Sequence, residues 1–233
     1  MHRSAALALL SILALAVPAS AKAPAKGPAH PAARADWTRT FSVTTQGGFR
    51  MGNPKAGIAV VEYGSLTCPH CRHFAETAVN PLVAQYVRTG KANYEFRPFI
   101  LDGIDVAANL VARCNGPAPF FPIAADLYAT QPMWRARISD ADMERFGALP
   151  QSQMMVGIAE QAGLILTGAA HGIAPAKARA CLGDEAAAER LAAMRQAASA
   201  SGVRGTPTLL VNGKVVPAYD WDSLQPFLKR AGG

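Results

Sequence analysis

Cys68 and Cys71 stand two residues apart in the run Cys68-Pro69-His70-Cys71. That spacing lets two sulfurs approach within bonding distance and close a short disulfide that exchanges readily. The thiolate is the reactive form of cysteine, and a helix start favours it, because unpaired backbone N–H groups and the positive end of the helix dipole face an anion there. The chemistry on offer is thiol–disulfide exchange, with Cys68 as the attacked sulfur and Cys71 as its partner. Other uses of the pair fit less well. A structural zinc site needs four ligands, and Cys114 and Cys181 stand alone. Covalent haem attachment needs His directly after the second cysteine, where Arg72 stands. A purely structural disulfide spanning two residues at a helix start is poor geometry. His30 and His171 carry no metal-ligand spacing, and no metal or cofactor is expected.

The surrounding sequence supplies the elements that such a site needs. Ile58 to Gly64 (IAVVEYG) is a short apolar, β-branched run bounded by glycines, which predicts a buried central strand. From Cys68 to Thr89 the apolar residues Phe74, Val79, Leu82, Val83, Tyr86 and Val87 recur mostly at helical spacing, with a kink expected at Pro81. Gly90 stops that helix, and Ala92 to Ile100 has the aromatic content of a second strand. Strand, helix and strand make a βαβ unit with the cysteines at its first strand-to-helix junction. From about residue 101 to 200 the chain is Ala-rich and amphipathic, broken at Gly116-Pro117, Gln131-Pro132, Leu149-Pro150, Gly168 and Ala174-Pro175, which predicts several short helices. Strand character returns at Thr208 to Val211. Asn212-Gly213 then predicts a tight hairpin into Val215-Val216. Trp221 to Arg230 closes the chain as a helix with Asp220 as its N-cap.

The N-terminus carries an address. Arg3 precedes an apolar run from Ala5 to Val17 and then the small-residue triplet Ala19-Ser20-Ala21, the pattern of a removed secretory signal over residues 1–21. That run, about 13 residues long, falls short of the roughly 20 that span a bilayer. Residues 22–35, rich in Ala, Pro, Lys, Gly and His, read as a flexible linker. A soluble exported protein is expected, and an oxidising compartment suits an even number of cysteines. The formal charge of +7 raises nucleic-acid binding, but the basic residues are scattered and no aromatic-basic stripe accompanies them. No nucleic-acid partner is expected.

The segment V-V-E-Y-G-S-L-T-C-P-H-C-R-H-F, residues 60 to 74, resembles the active-site segment of DsbA-type disulfide oxidases. Residues 202 to 214, G-V-R-G-T-P-T-L-L-V-N-G-K, resemble the cis-proline loop of the same family. The resemblance covers most of residues 54 to 230. It implies an α/β protein, a thioredoxin-like fold with an inserted all-helical subdomain. Residues 36–100 and 201–233 would form the thioredoxin-like part and residues 101–200 the helical insertion. By the same resemblance Pro207 is the cis-proline, whose loop presents backbone groups to an extended substrate, with Thr206 before it where many oxidases have Val. Glu62 matches the family's buried acid beneath the active site, and His70 the residue that stabilises the reactive thiolate, whereas His73 reads as a solvated helix residue.

The implied activity is disulfide introduction into newly translocated, unfolded proteins with free thiols, in the periplasm. A quinone-linked DsbB-type membrane protein would reoxidise the enzyme. The resemblance implies a Cys68 pKa near 3.5 and a potential near −120 mV, the values of DsbA itself. Two alternatives stay open, a disulfide isomerase or reductase of the same fold and a non-catalytic peptide-binding chaperone. Only about 35 mature residues of largely disordered composition precede the first predicted strand, which favours a monomer over an assembly built on an N-terminal domain. Four cysteines allow three pairings, and assigning Cys68 to Cys71 leaves a structural disulfide between Cys114 and Cys181, or else two unlinked buried thiols.

Overall fold

The computed structural model describes residues 35–232; the expected signal peptide, and the expected linker except for Ala35, lie outside the described residues. Six strands form one sheet: β1 (Phe41–Val43), β2 (Phe49–Gly52), β3 (Ile58–Gly64), β4 (Ala92–Pro98), β5 (Thr208–Val211) and β6 (Lys214–Val216). Their order is β1-β2-β4-β3-β5-β6. β3 therefore sits inside the sheet, parallel to β4 and antiparallel to β5. Its apolar run follows from this position, because a strand paired on both edges and covered on both faces has no solvent side. β1 and β2 were not predicted. Val43 is exposed and Ser42 and Arg50 are polar, so these short strands lack the apolar run that marks β3, and antiparallel pairing of β2 with β4 and of β1 with β2 is what makes them strands.

The active-site helix begins as α1 (Pro69–Phe74) and continues through α2 (Asn80–Leu82), with wide π-type turns over Ala75–Val79 and Val83–Val87. Helical dihedrals persist on both sides of Pro81, which interrupts the α-helical bonding pattern without ending the helix. A proline lacks an N–H and its ring crowds the carbonyl four residues earlier. The first wide turn spans Thr77, whose carbonyl that ring would crowd, and the second closes with an i→i−5 bond of 2.8 Å from the Arg88 N–H to the Val83 carbonyl.

Between β4 and β5 come eight helices: α3 (Gly103–Ala112), α4 (Pro117–Ala129), α5 (Gln131–Arg135), α6 (Asp140–Gly147), α7 (Gln151–Ala162), α8 (Leu164–Ala170), α9 (Pro175–Leu182) and α10 (Glu185–Ala200). Four expected breaks coincide with helix starts, since Pro117, Pro132 and Pro175 occupy first-turn positions and Pro150 is the N-cap of α7. Gly168 is not a break. It lies inside α8, where an added Cβ would stand 3.0 Å from Val111 of α3, so it is a point of close helix approach. The break falls at Gly163, whose φ of +81° ends α7 in the left-handed conformation. The Asn212-Gly213 turn has positive φ at both residues, the twist that a two-residue hairpin needs. α11 (Trp221–Arg230) starts at Asp220, which caps it through the Ser223 N–H.

Two large apolar clusters, with a small third at Phe99, Ala198 and Val203, hold these elements. One joins β3 and β5 to the active-site helix and α11 through Ile58, Val60, Phe74, Leu82, Leu209 and Leu228. The other is built from the eight helices, and it takes in Leu66, Cys68 and Cys71. The Cys68–Cys71 turn thus lies where the helical layer meets the sheet. The described residues, 35–232, fall within a single compact unit.

Candidate active site

Cys68 is the N-cap of α1, with Pro69 in the first helical turn, where its missing N–H leaves nothing unpaired. The structure describes both cysteines as free thiols, and both are buried. Hydrogen bonds from the Cys71 and Thr206 side chains and from the Cys71 and His70 backbone N–H groups converge on the Cys68 sulfur and lower its pKa from 9.0 to about 5. Burial opposes them, so the fall stops short of the 3.5 that the family resemblance implies. Cys71 moves the other way. Burial, the neighbouring Cys68 and the charge of Glu62 raise it well above 9.0, although the Ser65 N–H lies 3.5 Å from its sulfur. The pair is an asymmetric dithiol, one sulfur stabilised as thiolate and one held as thiol.

Glu62 shares the face of β3 with Ile58 and Val60, because successive strand side chains alternate. That face is covered, and Glu62 is 1% exposed. Burial pushes its carboxyl up to about 7, against a hydrogen bond donated by the Tyr94 hydroxyl. One carboxyl oxygen, Oε1, has no partner among the described residues. Gly64 closes the strand beside it, and a Cβ there would stand 2.7 Å from that oxygen and 2.5 Å from the Phe96 ring. The absence of a side chain is what lets the acid and the ring meet the end of the strand.

The turn before Cys68 is buried, so its backbone groups must find partners inside the protein. The helical layer provides them. Asp105 of α3, fully buried, accepts from the Leu66 N–H at 3.0 Å and the Leu101 N–H at 3.1 Å. Gln131 at the start of α5 donates to the Leu66 carbonyl at 2.8 Å and the Cys68 carbonyl at 3.1 Å. Tyr128 of α4 donates to the Ser65 carbonyl at 3.1 Å. The Asp105 carboxyl is pushed up to about 7 by burial, against bonds from Ser65, Leu101 and Leu66. Sequence reasoning missed Asp105, Tyr128, Gln131 and Tyr94. An acid, an amide and a phenol inside apolar helical segments hint at buried polar roles, but no spacing ties them to residues 62–71.

The expected site residues gather as follows. Thr206 and Pro207 face the cysteines across the fold, with the Cys68 thiol donating to the Thr206 carbonyl at 3.4 Å, and the Thr206-Pro207 peptide is cis. His70 contributes its backbone N–H, while its ring is exposed. Cys114 and Cys181 lie outside this group. They are joined by a disulfide with a Cα separation of 5.7 Å, linking the turn after α3 to α9.

The thioredoxin family profile matches residues 44–230. Among curated proteins, one from Rickettsia bellii, bearing the provisional name protein-disulfide oxidoreductase, is 29% identical over 197 residues, covering 83% of this chain and 69% of its own. A Rickettsia typhi protein of the same provisional name is 29% identical over 184 residues, of which this chain spans only 60% of the length. The crystal structure of a protein-disulfide isomerase from Novosphingobium aromaticivorans superposes with a TM-score of 0.73 at 31% identity, covering 79% of this chain and 97% of that one. Wolbachia pipientis alpha-DsbA1 shares the fold, with a TM-score of 0.60 at 21% identity, over 78% and 90% of the two chains.

Proposed function

Because this chain belongs to the thioredoxin family, and proteins named protein-disulfide oxidoreductase and protein-disulfide isomerase are among its relatives, we propose that it is a periplasmic disulfide oxidase acting on newly exported proteins. The observation that carries the reading is the asymmetry of the dithiol, with Cys68 held near 5 and Cys71 far above it. A substrate thiolate attacks Cys68 of the oxidised enzyme. The Cys68–Cys71 bond breaks, a mixed disulfide forms, and Cys71 leaves and takes up a proton. A second substrate thiolate attacks the substrate sulfur of the mixed disulfide and expels Cys68 as a thiolate. Two electrons pass from substrate to enzyme, and a quinone-linked DsbB-type membrane protein removes them. Thr206 and Pro207 hold the substrate chain beside Cys68. The signal peptide delivers the protein, which acts as a monomer.

A stabilised thiolate favours the reduced enzyme and makes its disulfide oxidising. The folded Cys68 value of about 5 lies below the ordinary 9.0, so ionisation stabilises the reduced form in full above pH 9, and the gain disappears as pH falls through 5. At pH 7 about two pH units of that window act, on the order of 3 kcal/mol. The reduced protein should therefore melt above the oxidised one at neutral pH, with the difference narrowing towards pH 5. Titrated against glutathione, the couple should lie above the roughly −270 mV of thioredoxin. A value at or below thioredoxin's would make the protein a reductase. The relative named as an isomerase favours a second reading. Faster rescue of a scrambled substrate than oxidation of a reduced one would select it.

Glu62 takes the proton role. With its carboxyl near 7 and one oxygen unpartnered, it can give a proton to the departing Cys71 thiolate and recover it when Cys71 is reoxidised. Glu62→Gln should slow these steps about a hundredfold, remove an inflection near pH 7 from the rate profile, and leave the melting temperature unchanged or higher. Identical pH profiles for the two proteins would remove Glu62 from the mechanism.

A further inference from the structure

A cavity of about 950 Å³ opens between α10, α3 and the β1–β2 side of the sheet, and none of its lining residues belongs to the Cys68–Cys71 turn or the Thr206-Pro207 loop. Its walls are apolar at Phe49, Leu110, Leu191 and Met194. The Cys114–Cys181 disulfide forms part of the same wall, so the space is braced covalently. Its size lies within the range of small-molecule sites, and such sites combine an apolar lining with a few polar groups that fix orientation.

Gln46, Tyr63 and Asp184 also line the cavity, but the polar groups with unfilled bonding capacity are on Asn109 and Arg113, one helical turn apart at the C-terminal end of α3. Asn109 is fully buried, and both hydrogens of its amide are engaged, donating to the Asp105 backbone carbonyl at 3.0 Å and to Asp105 Oδ1 at 2.9 Å. Its Oδ1 has no partner among the described residues. Arg113 stacks its guanidinium 3.7 Å from the centre of the Phe49 ring and donates from Nη2 to the Gly47 carbonyl at 2.6 Å. Its Nη1 is buried without a partner, and among the described residues no carboxylate lies within 4 Å of it. Burial alone lowers its pKa to about 10, with no charge offsetting the loss of water. The other two arginines of the wall are occupied, Arg97 by Glu95 at 2.6 Å and Arg190 by Asp184 at 3.5 Å.

A half-buried cation without a carboxylate partner and a buried carbonyl without a donor are both costly. Helical side chains lean towards the N-terminus and residues i and i+4 share a face, so the long Arg113 side chain extends over Asn109. One unfilled donor and one unfilled acceptor thus belong to residues that share a helix face and line the same cavity. We propose that this cavity binds an amphipathic carboxylate carrying a hydroxyl beside its acid group, with the carboxylate on Arg113, the hydroxyl donating to Asn109, and the apolar tail between α10 and Phe49.

The probe is 3-hydroxydecanoate, titrated calorimetrically into the full-length mature protein, with decanoate and 1-decanol as comparators. Binding should be one to one. Decanoate should bind about tenfold more weakly for want of the hydroxyl, and 1-decanol weaker still. Arg113→Met should weaken 3-hydroxydecanoate at least tenfold, as loss of a charged hydrogen bond does. Ala197→Trp, at an exposed lining position of α10, keeps the arginine and should block the cavity. Exchange at Cys68 should be unaltered in both variants. Absence of saturable binding, equal affinity for 1-decanol and 3-hydroxydecanoate, or binding indifferent to both substitutions would overturn the proposal.

Discussion

Cys68→Ser should leave no measurable thiol–disulfide exchange, and Cys71→Ala should accumulate covalent complexes with substrate proteins. The two outcomes differ because the sulfurs are held differently. Cys68 receives hydrogen bonds from the Cys71 and Thr206 side chains and two backbone N–H groups, and ionises near 5; at neutral pH it is already the thiolate that exchange requires. A serine hydroxyl cannot replace it, since it neither ionises in this range nor forms a disulfide. Cys71 is buried and held as thiol, and besides leaving when the oxidised enzyme is attacked it is the internal thiol that can return to release a substrate bound to Cys68. Removing it leaves the substrate attached until an outside thiol arrives. The check is a nonreducing gel of each variant after incubation with an unfolded substrate whose cysteines are disulfide-bonded, so that the Cys68 thiolate attacks a substrate disulfide and the other substrate sulfur leaves as a thiolate, with exchange rates measured alongside. Equal exchange in wild type and Cys68→Ser, or no adduct on Cys71→Ala, would sink the mechanism. Adducts on Cys71→Ala would also exclude a purely non-catalytic chaperone.

Replacing both Cys114 and Cys181 by Ala should lower the stability of the fold without touching exchange at Cys68. The bond closes a loop of 67 residues. In the chain-entropy account a loop of that length corresponds to about 4 kcal/mol, a large share of the 5 to 15 typical of a domain. For a domain of this size the melting temperature should fall by about 10 °C. The bond ties the turn after α3 to α9, and α3 also carries Asp105, which holds the Leu66 N–H of the active-site turn. Short-range packing of α3 against α7, α8 and α9 keeps Asp105 in place when the tie is cut, so the exchange rate should stay within about twofold. A double variant that melts as wild type does would show that the bond restrains nothing the unfolded chain loses. A slowed Cys68 would instead make the tie part of the active site.

The redox turn and its immediate supports were legible in the sequence because each rests on local rules. A C-x-x-C pair after a β-branched run and before helical spacing identifies a strand-to-helix junction, and β3 and α1 fall there. Asn212-Gly213 and Asp220 are turn and cap residues whose conformations need no distant partner. The prolines at 117, 132, 150 and 175 mark helix starts for the same reason. Resemblance of two separated segments added what local rules cannot, that residues 60–74 and 202–214 meet. What only the tertiary structure decided depends on contacts remote in sequence. β1 and β2 have no apolar run of their own and become strands by pairing, β2 with β4 and β1 with β2. Gly168 was misread as a break because its reason for being glycine is Val111 of another helix. Asp105 and Gln131 reach the active-site turn from 39 and 65 residues away along the chain, and Asn109 and Arg113 become an unfilled donor and acceptor only once α10 and Phe49 enclose them. Burial, which no single residue carries in its type, turns each of these from an ordinary polar side chain into one whose partner has to be found.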